Sequence, residues 1–144
     1  MTPDRGDILH LAFDPASGRE MKGDHFCLVV SPREFNARFR LAMVCPISGG
    51  AADVARSAGF LVTLMGQGLR TDGQVHAHQV KSLDWTARQA SFVETAPETI
   101  VQEVLDCLQS VLEYGAGVAQ PRQVTCPYSE RGGSAQIGKV VDFY

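Results

Sequence analysis

The sequence predicts an α+β fold that is mostly β: a small barrel or strongly curved sheet with one amphipathic helix laid on it. Three observations carry this. Six short apolar runs are each bounded by Gly, Pro, Asp or Ser, which is the pattern of buried strands. One helical run comes only after them, so the two kinds of element are segregated. The 144 residues, 44% of them hydrophobic, suffice for one domain and leave little room for two.

The elements follow in order. Ile8 to Phe13 is apolar and stops at Asp14-Pro15, and Phe26 to Val30 stops at Ser31-Pro32. Leu41 to Ile47 reads the same way. Phe60 to Leu64 follows Gly59, and Gln74 to Val80 follows the turn dipeptide Asp72-Gly73. Ser91 to Glu94 is a short last strand. Many short strands at this spacing suit a small barrel. The helix has Thr95 as its expected N-cap, with Pro97 and Glu98 in the first turn. Ile100, Val101, Val104, Leu105, Leu108, Val111 and Leu112 recur at three- and four-residue steps, and Gly115 is placed to end it. Beyond Gly115 the chain is rich in glycine and nearly without period until a short apolar close at Ile137 to Tyr144.

Composition excludes several classes. The longest apolar runs fall far short of a membrane span. The opening MTPDRGDILH lacks an apolar signal core, which predicts a cytoplasmic protein. The cysteines (27, 45, 107, 126) form no close pair, so neither a zinc site nor another metal site is expected. Cys27, Cys45 and Cys107 read as packing, and Cys126 as the thiol open to reagents. A formal charge of −3 argues against a broadly basic nucleic-acid binder. The charge is uneven, however. Arg33, Arg38 and Arg40 cluster in one segment, while Glu98, Glu103, Asp106 and Glu113 lie in the helix.

Histidine is the side chain that exchanges protons near neutrality. His76 and His78 stand two apart in an expected strand, on one face and about 6.5–7 Å apart, a span that could flank one phosphate. Gln79 and Lys81 are expected on the opposite face, with Val75 and Ala77. His25 opens the second strand after the polar loop Gly18 to Asp24, and loops beside rigid strands collect functional groups. His10 points away from Leu9 and Leu11. Ser48 ends the third strand, where its hydroxyl could bond a phosphoryl oxygen or form a turn. No Walker loop, dinucleotide fingerprint or nucleophile elbow is present, and no cofactor is expected.

The order of short motifs goes further. Arg5-Gly6-Asp7-Ile8 is followed by Phe13-Asp14-Pro15-Ala16-Ser17-Gly18-Arg19-Glu20. Then come Leu28-Val29-Val30-Ser31-Pro32, Val44-Cys45-Pro46-Ile47-Ser48, Gly73 to Lys81, and Ser82 to Arg88. In sequence these resemble the MazF/PemK/ChpB toxins of bacterial type II toxin–antitoxin modules, ChpB-type members most of all. The likeness runs from about Arg5 to Glu113. It implies an SH3-like curved barrel of the CcdB/MazF kind with a C-terminal helix. Residues 1–115 would be the toxin domain and 116–144 a flexible, irregular extension.

The resemblance also implies a symmetric homodimer, a cognate antitoxin, and cleavage of single-stranded RNA or mRNA at short sequences without a metal. The RNA's 2′-hydroxyl would attack the adjacent phosphate, leaving a 2′,3′-cyclic phosphate and a 5′-hydroxyl. Position by position, the family's catalytic arginine falls on His25, its hydroxyl on Ser48 and its loop glutamate on Glu20. The Arg-x-Asp-Gln stretch of PemK-type members falls on His76-Ala77-His78-Gln79. This reading makes His25, Ser48, His76, His78 and Glu20 catalytic, and has Arg19, Lys22, Gln79 and Lys81 hold RNA. The basic residues Arg33, Arg38 and Arg40 would line a dimer groove with Arg19 and Lys22. Two alternatives stand beside it: a toxin-like chain that only binds RNA or antitoxin, and a CcdB-like inhibitor of DNA gyrase.

Overall fold

Continuous apolar runs have no polar face to offer water, and the computed structural model, which describes residues 1–49 and 59–115, buries both faces of them. The strands are β1 (Asp7–Ala12), β2 (Asp24–Val29), β3 (Ala42–Ser48), β4 (Leu61–Thr63), β5 (Gln74–His76), β6 (Lys81–Leu83) and β7 (Ser91–Thr95). They pair antiparallel in the order β4-β5-β3-β2-β1-β7, with β6 also on β3. The result is a curved, barrel-like sheet that stays open at β4 and β7. Met1–Glu113 form one compact unit. The expectations for residues 116–144, Cys126 among them, lie outside the described residues.

Alternate side chains sort into two cores. Ile8, Leu28, Cys45, Ile47, Val62 and Val75 face one, which the helix closes with Ile100, Val101 and Val104. Leu9, Leu11, Cys27, Val29, Val44 and Phe13 face the other, closed by Leu83 and Trp85. His10 points to the first face, as expected, with its ring 5.0 Å from that of Phe26.

Two short elements were not anticipated. The first is α1 (Arg33–Phe39), seven residues with no side-chain cap and little periodicity to announce it. It is anchored by Asn36, which is fully buried. Its amide donates to the Pro3 and Ser31 carbonyls at 2.8 and 3.1 Å and accepts from the Ser31 hydroxyl at 2.6 Å. The Asn36 carbonyl also takes the Trp85 indole N–H at 3.2 Å. The second is β6, which follows the expected strand from Gln74 to Val80 and lies outside it.

The expected strand from Gln74 to Val80 is therefore corrected. It is β5 and a 3-10 turn at Ala77–Gln79, and β6 begins only after it. Val75 pairs with Ile47 and Lys81 with Val44. Between them β3 spends two residues where its partner spends five, so three are extruded. Pro46 lies in that gap, where it has no N–H for a ladder. The helix start is also corrected. α2 (Glu98–Leu112) is preceded by Pro97 with no side-chain cap, because Thr95 is still bonded into β7.

Candidate active site

Strand register assembles the first part of the site. His25 pairs with Leu11 and Ser48 with Gln74. The β2–β3 register runs through Phe26 and Ile47, so one step further sets His25 beside Ser48. Directly opposed residues share a face about 5 Å apart. His25, Ser48 and Gln74 therefore form a row at one end of the sheet. Gly73 makes the close packing possible. It has φ +115°, and a Cβ there would stand 2.9 Å from the Ser48 carbonyl oxygen.

The connection from β1 to β2, residues 13–23, folds over this end and is tied down from the 3-10 turn. The Met21 N–H donates to Gln79 Oε1 at 2.8 Å, and Gln79 Nε2 donates to the Arg19 carbonyl at 3.1 Å. Lys81 Nζ lies 3.7 Å from Glu20 Oε1, which also accepts the Ser17 N–H at 2.9 Å. The Ser17 N–H and then the Lys81 charge hold the Glu20 carboxyl below the usual carboxylate range. His25 Nε2 is 2.7 Å from the Lys22 carbonyl oxygen. A carbonyl only accepts, so Nε2 carries the hydrogen and the basic lone pair of the neutral ring is on Nδ1.

His76 and His78 do come together, but not as alternate residues of one strand. His76 ends β5 and His78 sits in the 3-10 turn, with ring centroids 5.7 Å apart. His78 stacks on Phe60 at 6.1 Å. Its Nδ1 is buried without a hydrogen-bond partner among the described residues. Burial lowers its pKa from the ordinary 6.5, so the ring is neutral at pH 7. His76 is only 5% exposed, which leaves His78 as the more accessible ring. The expected faces are corrected too: Val75 and Ala77 are buried in the core, while Gln79 and Lys81 turn to the loop.

Gln79 thus ties the turn that carries His78 to the loop that leads into His25. Arg19 and Lys22 are exposed on the loop. The arginines expected to line a dimer groove with them make these contacts within the chain. Arg33 bonds the Thr2 carbonyl and Asp4, and Arg40 lies 5.9 Å over the Trp85 ring. Arg38 lies at the same distance over the neighbouring Phe39. Sequence reasoning passed over Phe60 and Gln74. Gln74 was findable, since it lies two before His76 and so faces the same side. Phe60 was not, because the stack depends on the turn. Among the described residues no three His, Cys, Asp or Glu are grouped as metal ligands would be. Chemically, the site offers two histidines in defined states, a hydroxyl and exposed cations.

Comparison with known proteins identifies the family. Residues 4–112 match the model of the PemK-like, MazF-like toxin of type II toxin-antitoxin systems. The chain is 41% identical over 109 residues to "Endoribonuclease PemK" of Escherichia coli, covering 76% of this chain and 81% of that one. It is 40% identical over 111 residues to "Endoribonuclease toxin ChpB" of Escherichia coli K12, covering 76% and 94%. PemK and ChpB thus stand level. Among solved structures, MazF of Deinococcus radiodurans matches with TM-score 0.71 at 35% identity, covering 78% of this chain and 97% of that one. A MazE-MazF complex from the same organism matches with TM-score 0.66 at 34% identity, covering 78% and 97%. The described helices include none long and apolar enough to cross a membrane. The fold, the ordered motifs and these matches place the chain in the PemK/MazF family of type II toxin–antitoxin toxins.

Proposed function

We propose that this chain is the toxin of such a module, acting in the cytoplasm as a homodimeric endoribonuclease on single-stranded RNA and restrained by a cognate antitoxin. The observation that carries the reading is the row of His25, Ser48 and Gln74 at one end of the sheet, beside the Arg19–Lys22 loop that Gln79 holds. The relatives named as endoribonucleases support it.

The reaction needs no cofactor, because RNA supplies the nucleophile. A base takes the proton of the 2′-hydroxyl, and the 2′-oxygen forms a bond to the adjacent phosphorus. The bond from phosphorus to the 5′-oxygen breaks, and an acid returns a proton to that oxygen. His78, neutral and accessible, suits the base. His25 suits the acid when protonated. Ser48 donates to the phosphorane, and Arg19 and Lys22 offset its charge. Glu20, already ionised and paired, holds Lys81 and the loop.

The test is cleavage of a defined long RNA in the presence of EDTA, with primer extension to map the ends. Cuts at recurring short sequences with 5′-hydroxyl ends are expected, and the His25→Ala, Ser48→Ala and His78→Ala proteins should each cut far more slowly. Gyrase-dependent DNA breaks without RNA cleavage would reverse the reading.

A further inference from the structure

The amide of Gln79 is engaged at both ends. Its oxygen takes the N–H of Met21 and its nitrogen gives to the carbonyl of Arg19, across 58 and 60 residues of sequence. These two backbone groups flank Glu20, whose carboxylate is held by Lys81 two residues further along the same chain. Next to Met21 in the loop stands Lys22, whose carbonyl fixes the His25 ring. A side chain with a donor and an acceptor on one rigid plane fits this bridge, and both bonds run from a donor to an acceptor.

We infer that Gln79 is a positioning residue: it clamps the loop backbone so that the Lys22 carbonyl selects the Nε2–H form of His25. Both bonds of the clamp lie within the chain. The Ala77–Gln79 turn makes this possible by lifting the side chain out of the β3 ladder toward the loop. This extends the RNA-cleavage reading and rests on it for the kinetic consequence alone. Holding a reacting group within a fraction of an ångström is worth roughly ten- to a hundredfold in rate.

The test is Gln79→Met in the full chain, which keeps length and removes both bonds, beside Gln79→Glu, which keeps the acceptor and loses the donor. Three readouts are needed: the melting temperature, kcat and KM on a short RNA, and the histidine ring ¹⁵N spectrum. In the wild type the His25 ring is expected as the Nε2–H tautomer. In Gln79→Met it should become a mixture of tautomers, with kcat down about tenfold or more and KM little changed. Gln79→Glu should lie between, and it carries the test if Gln79→Met does not fold. A raised KM at unchanged kcat would overturn the inference in favour of direct RNA contact. An unchanged His25 spectrum would overturn it outright. If the wild type does not cut RNA, the functional reading falls, and the ¹⁵N spectrum alone still decides the clamp.

Discussion

The Lys22 carbonyl oxygen lies 2.7 Å from His25 Nε2 and assigns the ring its proton. In the neutral form only Nδ1 is left to accept, so any base chemistry at His25 runs through that atom; as imidazolium, the ring is an acid with one end tethered. Unlike an always-charged guanidinium, a tethered histidine gives a charge that pH can remove.

That difference makes the pH–rate profile the first prediction. With His78 as base and His25 as acid, cleavage should be bell-shaped, with the acid limb below the ordinary histidine range. His25→Arg should flatten the alkaline limb and leave the maximal rate within about threefold of wild type. A rise of a hundredfold would mean that the native histidine is a defective stand-in. Single-turnover rates from pH 5 to 9 check this.

Acid should erode stability in two steps. Burial lowers the His78 pKa below the ordinary 6.5, so just below pH 6.5 the unfolded chain binds this proton and the folded chain does not. Stability therefore falls as pH drops through that window. The Glu94 carboxyl is held low first by the Thr71 hydroxyl and then by the Arg70 and Thr71 N–H groups. Its contribution is present above the ordinary 4.5 and is lost as pH falls through the lower folded value. Urea midpoints against pH should show both steps, and His78→Gln should remove the first.

Gly73→Ala should cost about 2 kcal/mol, from its positive φ together with the 2.9 Å approach to the Ser48 carbonyl. Gly66→Ala has a similar positive φ but nothing within 4 Å, so it should cost about 1 kcal/mol. Thermal melts of the two separate strain from collision. Only the first should slow RNA cleavage in the folded protein, since it moves Ser48.

Asn36→Ala should cost about 3 kcal/mol. It strands the Pro3 and Ser31 carbonyls in the core and frees α1 from the segment before β1. Equilibrium unfolding would read this, and cleavage by the folded fraction should persist.

Much of the fold was legible because burial on both faces leaves unmistakable apolar runs, as in Phe26 to Val30 and Leu41 to Ile47. α1 was hidden because its stability comes from the bonds of one buried asparagine, which no periodicity reports. The break at Ala77–Gln79 was hidden because Val75, Ala77 and Val80 still read as a strand; Pro46, opposite it on β3, was the available clue. For the site, residue types could nominate His25, His78 and Gln79 but not their bonds. Gln79 reads in the sequence as an RNA contact, and its bonds to the loop are invisible there because an amide's partners are set by the chain that folds over it.

The three extruded residues opposite Pro46 also bear on how such a protein changes over generations. His78 and Gln79 stand outside the ladder that fixes sheet register, so exchanging either leaves strand pairing untouched. A lineage can therefore exchange His78 for another acid–base side chain on this insert at little risk to the scaffold.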